Sequence, residues 1–149
     1  MAKNRLGDIP GARFHVGPIA NNSVASNGGN ARIGQVGPFS FDVRVKSVVW
    51  TPIGSAHTVS TATSTATYRR MSVYNGGTAG TASASSNRLA SLDLTDSVPQ
   101  YGAAAFEVND DHVVKAGEIV YFSQETVGGT DANATVLPAG QLQVEYEVR

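Results

Sequence analysis

Gln141-Leu-Gln-Val-Glu-Tyr-Glu-Val-Arg149 alternates without a break. Leu142, Val144, Tyr146 and Val148 fall on one side, and Gln143, Glu145 and Glu147 fall on the other. Successive side chains of a strand point to opposite faces, so this stretch predicts a strand with one face on a core and one in water. The chain ends on it, which predicts an integral sheet member rather than a fraying end. The rest of the sequence supplies the strands that must cover its apolar face.

Working back, Phe39, Phe41, Val43 and Val45 alternate with Ser40, Asp42, Arg44 and Lys46, and the apolar phase then slips to Val48 and Trp50. A slip of one residue inside a strand is the signature of a bulge. Thr51-Pro-Ile-Gly54 ends this element. The run 58–67 places Val59 and four threonines on one side and small residues on the other, a pattern that favours a strand because Thr is β-branched. Tyr68-Arg-Arg-Met-Ser-Val-Tyr74 follows, closed by the turn signal Asn75-Gly76. Residues 78–87 read as a surface loop, with a turn or two of helix the most that 83–94 can hide. Further short strands are expected at 89–94, 103–108, 112–115 and 118–124, the last apolar on both faces in its middle as in a central strand.

About eight short strands punctuated by Gly, Pro and Asn, with no helical stripe, predict an all-β protein. The expected form is an antiparallel two-sheet sandwich of Greek-key or jelly-roll type. Residues 1–38 are rich in Gly, Asn and Pro, and only Phe14-His-Val-Gly-Pro-Ile19 looks extended. They are expected to form an N-terminal arm with a short strand and loops, leaving 39–149 as the sandwich domain.

A chain of 149 residues fits one domain. There is no cysteine, so disulfides and thiolate metal sites are excluded, which favours synthesis inside a cell. No apolar run approaches the roughly 20 residues that cross a bilayer, and Met-Ala-Lys-Asn-Arg lacks the apolar stretch of a secretory signal. A formal net charge of −1 argues against nucleic acid as the main partner. That balance hides an asymmetry: residues 1–38 carry net +3 and residues 107–149 net −6. Such a distribution is open to attraction within one chain, between neighbouring copies, or towards an acidic partner.

Catalytic and metal chemistry find little support. His15, His57 and His112 are far apart in sequence. Glu107, Asp110, Asp111 and His112 invite a cation or general-base reading, yet their spacing matches no cation loop and an acidic turn is favoured. There is no Gly-x-Ser-x-Gly elbow, and the Gly-Gly pairs lack the Lys-Ser/Thr of a phosphate cradle. Tyr68-Arg69-Arg70 would suit stacking on a base or sugar, but an outward Arg on a strand is favoured. No enzyme, cofactor, metal or small-molecule substrate is expected.

Val113-Val-Lys-Ala-Gly-Glu-Ile-Val-Tyr-Phe122, the Gly128-Gly-Thr130 loop, Pro138-Ala-Gly140 and the closing strand resemble the end of a phage jelly-roll virion protein. So do Tyr68-Arg-Arg-Met-Ser-Val-Tyr-Asn-Gly-Gly77 and Leu89-Ala-Ser-Leu92. The family resembled is the head decoration, or cement, proteins of tailed phages. The Ala-Gly-Glu-Ile-Val piece is also similar to trimeric jelly rolls of the tumour-necrosis-factor and C1q type. The likeness covers roughly residues 39–149 as a pattern of strands and turns.

This resemblance implies a structural virion protein on the outside of an assembled head, made in the host cytoplasm. It would bind the major capsid protein and stabilise the shell across capsomer joints, as a homo-oligomer and specifically a trimer. An arm that clamps capsomers would use Lys3, Arg5, Arg13, Phe14, Val16, Ile19 and Arg32. The alternative is a receptor- or carbohydrate-binding sandwich of a phage tail or secreted protein, for which Trp50 and the five tyrosines would supply aromatic platforms.

Overall fold

The computed structural model describes residues 12–19, 31–59, 68–81, 84–109, 111–128 and 137–149, with backbone alone for 12–19 and residue 31. The segment 60–67, expected to be strand, lies outside the described residues, as do Lys3 and Arg5.

Among the described residues, nine strands form two antiparallel sheets. In chain order they are β1 (Ala12–Ile19), β2 (Ala31–Val36), β3 (Val43–Pro52), β4 (Tyr68–Asn75), β5 (Arg88–Leu94), β6 (Ala104–Ala105), β7 (Glu107–Val108), β8 (Val120–Val127) and β9 (Gly140–Val148). One sheet has the order β1-β9-β3-β6 and the other β2-β8-β4-β5-β7. The pairs β1·β9, β2·β8, β3·β6 and β4·β5 are nested one inside the next, and β3·β9 and β4·β8 join them. That nesting is a jelly roll: a long antiparallel ribbon rolled up so that its strands alternate between two sheets.

β9 sits between β1 and β3, and its Leu142, Val144 and Tyr146 are buried, as the alternation predicts. Fully burying a Leu or Val side chain contributes about 1.5–3 kcal/mol, so this one face is a large part of the core. It meets Val43, Val45, Val48 and Trp50 of β3 beside it, and Met71, Val73, Val120 and Phe122 of the facing sheet. The phase slip is also found. The β3·β9 register shifts between Val45 and Ser47, leaving Lys46 as the extra, exposed residue and returning Val48 and Trp50 to the core. β8 is buried on both faces along Val120–Glu125, as befits a strand between β2 and β4.

Four expectations need correction. Within residues 1–38, expected to form an arm beside a sandwich that starts at Phe39, β1 pairs with β9 and β2 with β8, so these two stretches belong to the sandwich. Gly- and Asn-rich flanks disguised these strands, because apolar alternation is short in an edge strand with one neighbour. The stretch 112–115 is not a strand but a single bridge, Val114 to Val43, in a turn tied to the start of β3. Within that turn Asp42 accepts from Lys115 Nζ and Ala116 N–H, both at 2.9 Å. The stretch 103–108 is two short strands. Phe106, buried between them, donates its N–H to Val48 O, while Glu107–Val108 cross to β5. Finally, residues 85–87 form a short 3-10 turn within the expected loop, and the alternation credited to Phe39 and Phe41 precedes the strand. Phe39 packs edge-on to Tyr146 and Phe41 is exposed.

At the Trp50 end the interior turns polar. His57 is buried, edge-on to the Trp50 ring at 5.9 Å between centroids, and Arg69 Nη1 donates to Gln124 Oε1 at 3.1 Å. Among the described residues, both ring nitrogens of His57, Trp50 Nε1 and Gln124 Nε2 have no hydrogen-bond partner. Burial, reinforced by the Arg69 charge, holds the His57 pKa below its ordinary value.

Two outcomes are expected. A Cβ on Gly140 would lie 2.5 Å from Trp50 Nε1 and 2.7 Å from Thr51 O, so Gly140→Ala should cost about 1–3 kcal/mol in urea unfolding. The native state binds the His57 proton less readily than the unfolded chain. The stability that neutral His57 supports is therefore complete above pH 6.5 and falls as pH drops towards the depressed native value. Replacing His57 by Leu should abolish that part of the acid slope and leave the protein at least as stable at pH 5; an unchanged slope would refute the assignment.

Candidate functional site

The richest cluster of interaction-type side chains lies on the five-stranded sheet, on the face turned away from the core. The period of two places Tyr68, Arg70, Ser72 and Tyr74 of β4 on that face, opposite to Met71 and Val73. β8 adds Tyr121, Ser123 and Glu125, β5 adds Arg88, Ser91 and Asp93, and β2 adds Arg32.

One row crosses four adjacent strands. The Arg32 guanidinium lies over the Tyr121 ring, 4.6 Å from its centroid. Tyr121 stacks on its register partner Tyr74 at 5.3 Å, and the Arg88 guanidinium lies 5.7 Å from the Tyr74 centroid. The order is cation, ring, ring, cation, each contact favourable because the ring faces carry negative potential. Arg32 Nη1 also donates to Gly80 O at 3.0 Å, which ties β2 to the turn after β4.

Beneath the row sits Glu125, a buried carboxylate. It accepts from the Tyr74 hydroxyl and from Ser72 Oγ at 3.1 Å, and Arg88 Nη2 stands 4.0 Å away. Burial first, and donation to Glu125 second, raise the Tyr74 pKa, so the phenol keeps its proton and stays a donor. Beside it, Arg70 grips Asp93 by a two-point fork, Nε–Oδ1 2.5 Å and Nη2–Oδ2 3.0 Å, and donates to the Tyr68 hydroxyl at 2.8 Å. The Arg70 hydrogen bonds hold the Asp93 carboxyl below its ordinary pKa.

Of the residues singled out in sequence, Arg32 belongs to this cluster and is exposed. Arg13, Phe14, Val16 and Ile19 lie on β1, an edge strand of the other sheet, with Arg13 opposite Glu145 and Phe14 opposite Val144. The basic leading and acidic closing segments are thus neighbours within one chain. The structure brings β1 and β2 together on one side of the sandwich but puts them in different sheets. Glu107 is on β7 and exposed. Asn109 Oδ1 accepts the Asp111 N–H at 3.2 Å in the turn that follows, and Asp110 lies outside the described residues. Among the described residues no three His, Asp or Glu side chains are grouped to hold a metal ion.

Sequence reading missed Glu125 and the division of labour in Tyr68-Arg69-Arg70. Parity with Met71 and Val73 was the available signal: it sends Arg69 inward and Arg70 outward. A groove of about 300 Å³ between β5 and β7, lined by Arg88, Ser91, Glu107 and Asn109 among others, runs along the edge of the same face.

No family model, no curated protein and no solved structure matches the chain.

Removing the Glu125 carboxylate strands two buried hydroxyls, so Glu125→Ala should cost about 1–3 kcal/mol. The Asp93 contribution has its own pH signature. With the native pKa depressed, it is present above the unfolded value near 3.8 and is lost as pH falls through the native one. The stability difference between the wild type and Asp93→Asn should therefore be flat from neutral pH to about pH 5 and shrink below pH 4 in urea titrations. Partial exposure of Asp93 keeps its size modest.

Proposed function

We propose that this chain is a structural virion protein that binds the outer surface of an assembled phage capsid and stabilises it across capsomer joints, as a homo-oligomer. The observation that carries the reading is the Arg32–Tyr121–Tyr74–Arg88 row. Arg is a residue type enriched in protein–protein contacts, and here Arg32 and Arg88 are braced by the stacked Tyr121 and Tyr74 rings, by Gly80 and by the Glu125 carboxylate before a partner arrives. Bracing lowers the ordering cost of binding. Attachment at many symmetry-related points then makes individually modest contacts hold firmly. The jelly-roll topology supports the reading at the level of fold alone, since it also serves lectins.

A sugar platform is the weaker reading for this face. Tyr74 and Tyr121 are buried and lie under guanidinium groups, so neither ring is free to stack on a pyranose.

Cosedimentation with assembled shells tests the proposal. Arg32→Ala should lower occupancy about tenfold while costing only about 1–2 kcal/mol of stability, so that the protein stays folded in the assay, and Arg32→Lys should recover little because a point charge lacks the planar stacking surface. Deleting residues 1–11 is the clean test of a clamp made by Lys3 and Arg5. Deleting 1–20 is not, because it strips β1 from β9 and unfolds the sandwich edge. Full occupancy of the Arg32→Ala protein would count against the reading.

A further inference from the structure

Two Asn-Gly pairs occur in the chain, Asn27-Gly28 and Asn75-Gly76. Asn followed by Gly readily loses its side-chain amide, because no Cβ on the glycine shields the backbone nitrogen that attacks. At Asn75-Gly76 every group that this reaction needs is held. Gly76 N–H, whose nitrogen would be the nucleophile, donates to Ile119 O at 2.8 Å. Asn75 Nδ2, which would leave, donates to Glu118 Oε2 at 2.7 Å, and Asn75 Oδ1 accepts the Gly77 N–H at 2.9 Å. Glu118 Oε2 also accepts the Lys115 N–H at 2.7 Å, so the clamp is itself anchored.

The fold has no freedom to replace this glycine. A Cβ on Gly76 would lie 2.8 Å from Gly80 Cα, 2.9 Å from Gly80 C and 3.0 Å from Tyr121 Cδ1. Backbone meets backbone there, and only glycine permits so close an approach. The close packing also has a use, because Gly80 O is the acceptor for the Arg32 guanidinium that covers Tyr121. The turn therefore requires a reactive dipeptide and restrains it by hydrogen bonds.

We infer that Asn75 is a modification site, a deamidation that the closed turn suppresses and that, once it has happened, keeps the turn from closing as before. Local opening releases the clamp. The Gly76 nitrogen then gives its proton to hydroxide and bonds to the Asn75 side-chain carbonyl carbon. The bond from that carbon to Nδ2 breaks, and ammonia leaves with a proton taken from water. Water next opens the five-membered imide at either carbonyl, giving aspartate or isoaspartate with no change of oxidation state. Aspartate puts a carboxylate where an amide donated to Glu118 Oε2, so like charges face each other across a hydrogen-bond spacing. Isoaspartate also lengthens the main chain by one carbon and moves the Gly76 N–H off Ile119 O. Reversible opening thus becomes a one-way change. The modification does not depend on shell binding; only its effect on attachment, through Arg32, rests on that reading.

Peptide mapping by mass spectrometry, on the full chain aged at mildly alkaline pH in buffer and in urea, tests it. Asn75 should convert at least about tenfold more slowly in buffer than in urea, a comparison that needs no variant. Glu118→Ala removes the acceptor of Asn75 Nδ2 and should speed conversion in buffer at least about threefold, measured against Asn27 in the same chain. Asn75→Asp makes one product directly and should melt at least about 3 °C below the wild type. Equal Asn75 rates in buffer and urea would overturn the inference. So would a Glu118→Ala protein that converts no faster, a rise shared equally by Asn27, or an Asn75→Asp protein as stable as the wild type.

Discussion

The pairing of β9 with β1 on one side and β3 on the other is the constraint on which the sandwich depends. Leu142, Val144 and Tyr146 can be buried only if both neighbours hold the strand flat against the opposite sheet. The bulge at Lys46 keeps β3 in step, moving Val48 and Trp50 back to the core after Val43 and Val45 have used the other parity. Gly140 then lets the start of β9 close on the Trp50 indole, where any side chain would collide.

Much of this was legible in sequence because the strands that make the core are central, and central or half-buried strands carry strong period-two patterns. The closing strand, the slip inside 43–52 and the doubly buried run at 120–125 each left a clear trace. Edge strands did not. β1 and β2 have only one neighbour and are interrupted by Gly17-Pro18 and Gly34, so their residues read as an arm. The stretch 112–115 misled in the other direction: Val113 and Val114 look like a strand, but only Val114 reaches the core, held by the Asp42–Lys115 turn.

The candidate site was less legible, for a physical reason. Its members are scattered over β2, β4, β5 and β8, and only register brings Arg32, Tyr121, Tyr74 and Arg88 into one row. Spacing along the chain carries no record of that register. Arg32 was singled out for its charge, and its charge is only half of its role; the planar group also covers Tyr121. Glu125 drew no notice because a glutamate at the end of an apolar run looks like a solvated terminus. Its burial comes from the hydroxyls of Ser72 and Tyr74, which supply what water would otherwise supply.

The nested order of pairing has a kinetic corollary. Of the described strands, β1 and β2 are made well before their hydrogen-bonding partners β9 and β8. Among the described pairs, β1·β9 closes the longest loop, the costliest closure in entropy and the one that topology places latest. Until β8 and β9 have emerged from the ribosome, β1 and β2 are unmatched edges, open to pairing with a neighbouring nascent chain. A protein wired this way is exposed to misassembly during translation more than after it.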